Sequence, residues 1–233
     1  MRNYLKLPAK DPGCQAALAW LAVRHGPKAA AGDITSQDER DFLALVAGRY
    51  FEIVSRAIKK RDPNHLYLGA RFYGADLRCP EIFRAAGPYV DVISVNYYRA
   101  WTPDAEKLAM WERESGKPCL ITEWYAKGVD SGMPNHGGAG WLVKSQRDRG
   151  LFYQNFTLAL LESRSCVGWH WFKYVDNDPA DTKVDPSNRD SNKGVVNNRY
   201  EPYLPLLDAM KQLNLRAYAL VDYFDNPAKS KSP

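Results

Sequence analysis

The feature that most constrains this chain is an alternation that begins at residue 65. Four short apolar runs, at 65–72, 89–96, 118–122 and 166–172, are separated by segments of helical character. Residues 78–87 suit a short helix, Thr102-Pro103-Asp104 opens one that continues through Glu114, and 141–163 suits a long one. Strands that alternate with helices pair in parallel, because each crossover helix returns the chain to the same end of the sheet. Near-continuous apolar runs fit strands covered on both faces. The expected fold class is therefore α/β, of the (β/α)8 TIM-barrel type. A full barrel holds eight strands in ~250 residues, whereas only four can be counted in these 233. The expectation is half a barrel.

The chain reads as one domain with a helical lead-in over 1–64, four βα units over 65–213 and a tail over 214–233. In the lead-in, residues 11–25 form a short helix ended by Gly26-Pro27. Thr35 or Ser36 then caps a long amphipathic helix over 37–60, with Phe42, Val46, Tyr50, Ile53 and Ala57 recurring at helical spacing. Asp62-Pro63-Asn64 breaks it. A helix around 201–213 follows a polar loop at 176–199.

Composition excludes several classes. Lysine and arginine exceed the acids by 32 to 27 and are spread along the chain. Their only dense run, Lys59-Lys60-Arg61, sits at a helix end, where cations suit the dipole. Nucleic acid is not an expected partner. No apolar run approaches the roughly 18 residues of a membrane span, so no membrane association is expected. Residues 1–13 lack the apolar core of a signal peptide, which leaves the compartment open. The four cysteines form no C-x-x-C pair, and Cys119 and Cys166, inside apolar runs, read as buried thiols. No P-loop, nucleophile elbow or zinc spacing occurs, so no cofactor or metal is expected. The aspartates at 176, 178, 181, 185 and 190 lack EF-hand spacing and read as a solvated loop.

Of the seven tryptophans and fourteen tyrosines, many cluster near the ends of the apolar runs. Rings with polar handles line surfaces that are apolar on one side and wet on the other, as a sugar site is. Ligands of parallel α/β proteins meet the loops beyond the C-terminal strand ends. There the first run delivers Arg71 and Tyr73, and the second Asn96, Tyr97 and Tyr98. The third delivers Glu123 and Trp124, and the fourth His170, Trp171 and Lys173. A carboxylate at that rim needs donors such as Arg71, Tyr97 or Asn96. Glu123 reads either as one half of a rim ion pair or as a carboxylate nucleophile. His136, in Pro-Asn-His-Gly-Gly, is a substrate-loop or a plain loop residue, and His170 a satisfied barrel histidine.

Val90–Tyr98 followed by Gly116–Trp124 resembles the sixth and seventh barrel strands of retaining glycoside hydrolases of clan A. Gly138–Trp141, Arg149–Gln154, Val167–Tyr174 and Asp176–Pro179 resemble the β-agarase and β-galactosidase-like members. The similarity runs from the helix at 37–60 to Tyr218–Asp225. It implies the C-terminal half of the barrel, strands five to eight, and a carbohydrate substrate. Glu123 would be the nucleophile, with Tyr97 or Tyr98 holding it and Trp169 or Trp171 as a sugar platform. Arg71, Asn96, Trp124 and His136 would complete the lining.

The chain departs from that pattern in one respect. A retaining glycosidase needs a second carboxyl ~5–5.5 Å away. In this clan it belongs to an Asn-Glu pair ending the fourth strand, which would precede Met1, and Asp76 is the least poor internal candidate. Two functions follow. One is hydrolysis of a galactan or similar polysaccharide with the acid supplied from elsewhere; the other is a glycan-binding or structural fragment without turnover. Four strands leave two unpaired edges and partly wet inward rows at 66–72, 90–95 and 120–122. A homodimer, or a complementing N-terminal barrel half, is the expected partner.

Overall fold

The fold was analysed in a computed structural model, which describes residues 1–181, 183, 185 and 189–226. Parts of the 176–199 loop and the tail beyond Asn226 lie outside them. Helix α1 (Pro12–His25) starts where the Asp11 carboxylate accepts from the Gly13 and Cys14 amides at 2.7 and 3.4 Å. Helix α2 (Ser36–Arg61) starts with a capping box. The Thr35 hydroxyl accepts from the Asp38 amide at 3.1 Å, and the Asp38 carboxylate from the Thr35 amide at 2.8 Å. Bonds from the Thr35 side chain and backbone, helped by His25, hold the Asp38 carboxyl at about 2. The two helices enclose a small core of Met1, Ala17, Leu21, Ile34 and Phe42.

Next come α3 (Pro80–Ala86), β1 (Ile93–Asn96), α4 (Ala105–Ser115), β2 (Cys119–Glu123), β3 (Ala126–Gly128) and β4 (Trp141–Val143). Helix α5 (Gln146–Glu162), β5 (Cys166–Trp169), α6 (Leu204–Asn214) and α7 (Ala217–Asp225) complete the order. Strands β1, β2 and β5 form a parallel sheet with β2 at its centre, and β3 pairs with β4 in a separate parallel ribbon. Each step across the sheet is made through a helix, α4 and then α5, which is why the strands run the same way.

The apolar run at 65–72 lies beside β1 but forms no ladder there. One parallel bridge joins Phe72 to Val95, with the Phe72 amide donating to Ser94 O and the Asn96 amide to Phe72 O, each at 2.9 Å. Upstream, Gly69 takes φ +70, which breaks the extended path. Side chains replace the missing ladder: Asp91 accepts from the Tyr67 amide at 2.7 Å, and Ser94 donates to Leu68 O at 2.6 Å.

Three boundaries also differ from the sequence reading. Helix α4 begins only after Asp104, which caps it by accepting from the Glu106 and Lys107 amides at 3.1 and 3.2 Å. Residues 141–143 are strand, and α5 begins only after Ser145, whose hydroxyl accepts from the Asp148 amide at 3.2 Å. The tail carries α7.

The main core lies between the sheet and helices α3 to α6, with Phe83, Trp111, Trp124, Phe156 and Leu160 at its centre. Helices α5 and α6 meet at Gly150, where an added Cβ would stand 2.7 Å from that of Ala209. Of the rows expected to be wet, the one at 90–95 is not: Val90, Val92, Ile93 and Val95 are all buried. Leu66 and Leu68 are exposed, and Leu120 and Thr122 half-buried. No described helix is long and apolar enough to cross a membrane.

The aspartate-rich loop is not simply solvated. Asp176 is buried and accepts from the Lys193 and Gly194 amides at 2.7 and 2.6 Å, and from Asn192 and Tyr203 at 2.9 and 2.7 Å. Arg149, fully buried, donates to Ala126 O, Gln146 Oε1 and Gly194 O at 2.7, 2.6 and 2.9 Å. Its guanidinium lies between the Trp171 and Tyr203 rings, 5.4 Å from each centroid. Burial lowers it to about 10, so it stays charged at neutral pH. This knot ties the segments after β2 and β5 together and shapes the sheet's C-terminal end.

Candidate functional site

Glu123 is the last residue of the central strand β2, paired in register with Asn96 across a bulge in the ladder. Both its carboxylate oxygens are held. Arg71 Nη1 lies 2.5 Å from Oε1, and the Tyr98 hydroxyl donates to Oε2 at 3.0 Å. Burial and the charge of Glu123 push the Tyr98 phenol far above the usual range, so it stays protonated and can donate.

The carboxylate opens on a cleft of about 480 Å³ walled by Arg71, Tyr73, Tyr98, Tyr125, Gly138, Ala139, Phe172 and Asp185. Tyr73, Tyr98, Tyr125 and Phe172 follow one another along it. Their successive ring centroids are 6.0, 5.6 and 6.2 Å apart. Burial pushes Tyr125 up to about 12. Asp185, the other carboxylate in this wall among the described residues, is ion-paired with the buried Lys193. Asp76 is not part of the wall, and burial raises its carboxyl. Among the described residues, no group of three or more His, Cys, Asp or Glu is placed to hold a metal ion.

The structure thus gathers Arg71 and Tyr98 on Glu123, keeps Tyr73 in the same cleft wall and separates most of the other residues singled out from the sequence. Asn96 accepts from Thr122 at 2.8 Å and lines a neighbouring cavity. Tyr97 is buried against Trp111 and Phe156, and its hydroxyl accepts from the Asp104 amide at 3.0 Å. Trp124 is buried too, stacked on Phe156 at 4.1 Å. Trp169 donates to the Tyr153 hydroxyl at 2.7 Å, and Trp171 to Lys193 O at 2.8 Å, packed edge-on against Trp124. Neither stands in the cleft wall. His136 is held by Asp190, whose Oδ2 lies 3.0 Å from both its amide and Nδ1, while its neighbours Gly138 and Ala139 do reach the cleft. His170 is exposed rather than packed.

Tyr125 and Phe172 are cleft residues that the sequence reading did not single out. A usable signal was the period of two along a strand. Asn96 and Tyr98, like Glu123 and Tyr125, share one side, whereas Tyr97 and Trp124 fall on the other and enter the core. The Asp185 contribution had no local signal, because a long loop delivers it.

Comparison with known proteins adds a second line of evidence. No family model matches the chain. It is 37% identical over 186 residues to Beta-agarase B of Vibrio sp. (strain JT0107), covering 79% of this chain and 19% of that protein. Beta-agarase A of the same strain is 33% identical over 223 residues, covering 86% of this chain and 21% of that protein. Both of these relatives are β-agarases. The crystal structure of BpGH50 superposes with a TM-score of 0.86 at 37% identity, over 96% of this chain and 47% of that one. The chain is therefore homologous to a segment of a glycoside hydrolase. It spans about a fifth of the length of the two curated relatives and about half that of BpGH50.

Proposed function

We propose that this chain carries the nucleophile side of a retaining β-glycosidase acting on a β-linked galactan of the agarose type. The observation that carries this reading is Glu123 itself, a carboxylate at the end of the central parallel strand with each oxygen held by a separate donor, facing an aromatic cleft. Glu123 Oε attacks the anomeric carbon while the glycosidic C–O bond breaks. A covalent glycosyl-enzyme forms, and water then releases the sugar. Arg71 and Tyr98 keep the carboxylate aimed, and the ring series from Tyr73 to Phe172 offers faces to the sugars. Incubation with a 2-deoxy-2-fluoro-galactosyl fluoride, followed by peptide mass spectrometry, is expected to find the adduct on the peptide bearing Glu123. An adduct on any other residue overturns the assignment.

The same reading holds the chain to be strands five to eight of a (β/α)8 barrel. The proton for the leaving oxygen would come from a strand supplied by a complementing barrel half or a second copy. The exposed Leu66, Leu68 and Val167 beside the sheet support such a partner. Light scattering during size exclusion is expected to find a dimer or a complex with the complementing half. A compact monomer with cooperative unfolding overturns it.

The ion pair of Glu123 with Arg71 and the lack of a second free carboxylate in the described cleft wall favour one alternative, a glycan-binding module without turnover. Oligosaccharide binding without reducing-end release, unchanged in Glu123→Gln, would select it.

A further inference from the structure

A second cavity, of about 440 Å³, lies beside the Glu123 cleft. Tyr73 and Tyr98 belong to the walls of both. The rest of its wall carries Arg78, Arg99, Lys107 and Asn96 and, among the described residues, contains no aspartate or glutamate. Three separate segments bring the cations together. Arg78 ends the turn Asp76–Arg78, Arg99 follows the residues that continue β1, and Lys107 stands in the first turn of α4. Lys107 meets Asp104 at 3.5 Å in an exposed pair, a weak interaction. Among the described residues, neither Arg78 nor Arg99 has an ion-pair partner. Arg99 is also held at φ +62, a conformation uncommon for residues other than glycine.

Two guanidinium groups without an ion-pair partner, beside a lysine with only a weak exposed one, repel one another around the cavity and attract an anion. Guanidinium groups suit a tetrahedral oxyanion, since each offers two parallel N–H donors. The cavity shares Tyr73 and Tyr98 with the site proposed for a sugar, so its ligand is expected to be a substituent of the same polymer. We propose that it is a subsite for a sulfate half-ester on the galactan unit next to the one over Glu123. The choice of polymer rests on the galactan reading; the anion site itself rests on the cavity alone.

Calorimetric titration with a neutral agaro-oligosaccharide and with a sulfated one of equal length tests the proposal. The sulfated form is expected to bind about tenfold tighter, a gap of the size that charged hydrogen bonds supply. Added salt should narrow that gap. The double variant Arg78→Gln/Arg99→Gln should lose it with neutral binding unchanged, and Arg78→Lys/Arg99→Lys should keep part of it. Equal affinities in the unaltered chain, or a gap that survives the glutamine pair, overturn the proposal. Galactose 6-sulfate alone should shift the side-chain Nε–H resonances of Arg78 and Arg99 in NMR spectra, and absence of any shift also overturns it. Shifted arginines in a chain that binds no neutral oligosaccharide would support the anion site while sinking the galactan reading.

Discussion

Replacing Glu123 by glutamine is expected to reduce turnover by about four orders of magnitude or more, in the assembly that turns over, with the fold intact. Loss of a covalent nucleophile removes the group that bonds to the anomeric carbon, and losses of that order follow when such a group is deleted. Glutamine keeps the shape, so one oxygen can still accept from Arg71, but its amide nitrogen meets Tyr98 in place of an acceptor. The circular dichroism spectrum and thermal midpoint should therefore change little while reducing-end release disappears. Tyr98→Phe should fall between the two, at about one order of magnitude, because it loosens the carboxylate without removing it. Retained turnover in Glu123→Gln would remove Glu123 from the chemistry.

The second large effect concerns stability. Arg149→Met is expected to cost about 3–5 kcal/mol, a large share of the ~5–15 kcal/mol that holds a typical domain together. Methionine matches the length of the stem but leaves Ala126 O and Gly194 O without the donors that Arg149 supplies. It also removes the cation facing buried Asp176 and the contact between the Trp171 and Tyr203 rings. Lysine cannot reach both carbonyls with a single ammonium, so Arg149→Lys should recover only part of the loss. Urea unfolding reads the series directly. A methionine variant with the midpoint of the unaltered chain would show that the knot contributes nothing net. Because Arg149 ties Ala126 to Gly194, weakening it should also loosen the nearby cleft wall.

Local chemistry was readable without the fold. Apolar runs, helix caps and breakers placed α1, α2, β2 and β5 within a few residues, because the Thr35–Asp38 box and stops such as Gly116 act over one turn of chain. The run at 65–72 misled because apolar composition fixes neither dihedral angles nor burial: Leu66 and Leu68 are exposed. One glycine at φ +70 turned an apparent strand into a single bridge. Residues 141–143 misled in the opposite sense: their extended form depends on β3, a partner that local propensity does not encode.

The same division runs through the candidate site. From the sequence alone came the parallel α/β class, the carboxylate at the end of the third apolar run and Arg71 as one of three candidate donors to it, since strand order and the need to satisfy a rim charge are local or general constraints. The period of two sorts the aromatics into two alternating sets, and the tertiary structure decided which set faces the cleft. Tyr97 and Trp124 turned into the core and Tyr98 and Tyr125 out of it, as the pleat of β1 and β2 requires once the helix layer covers one face. It also decided that Asp185 joins the wall and that Arg78, Arg99 and Lys107 meet around one cavity. These groups are far apart along the chain, and what brings them together is packing between elements, which no local pattern records.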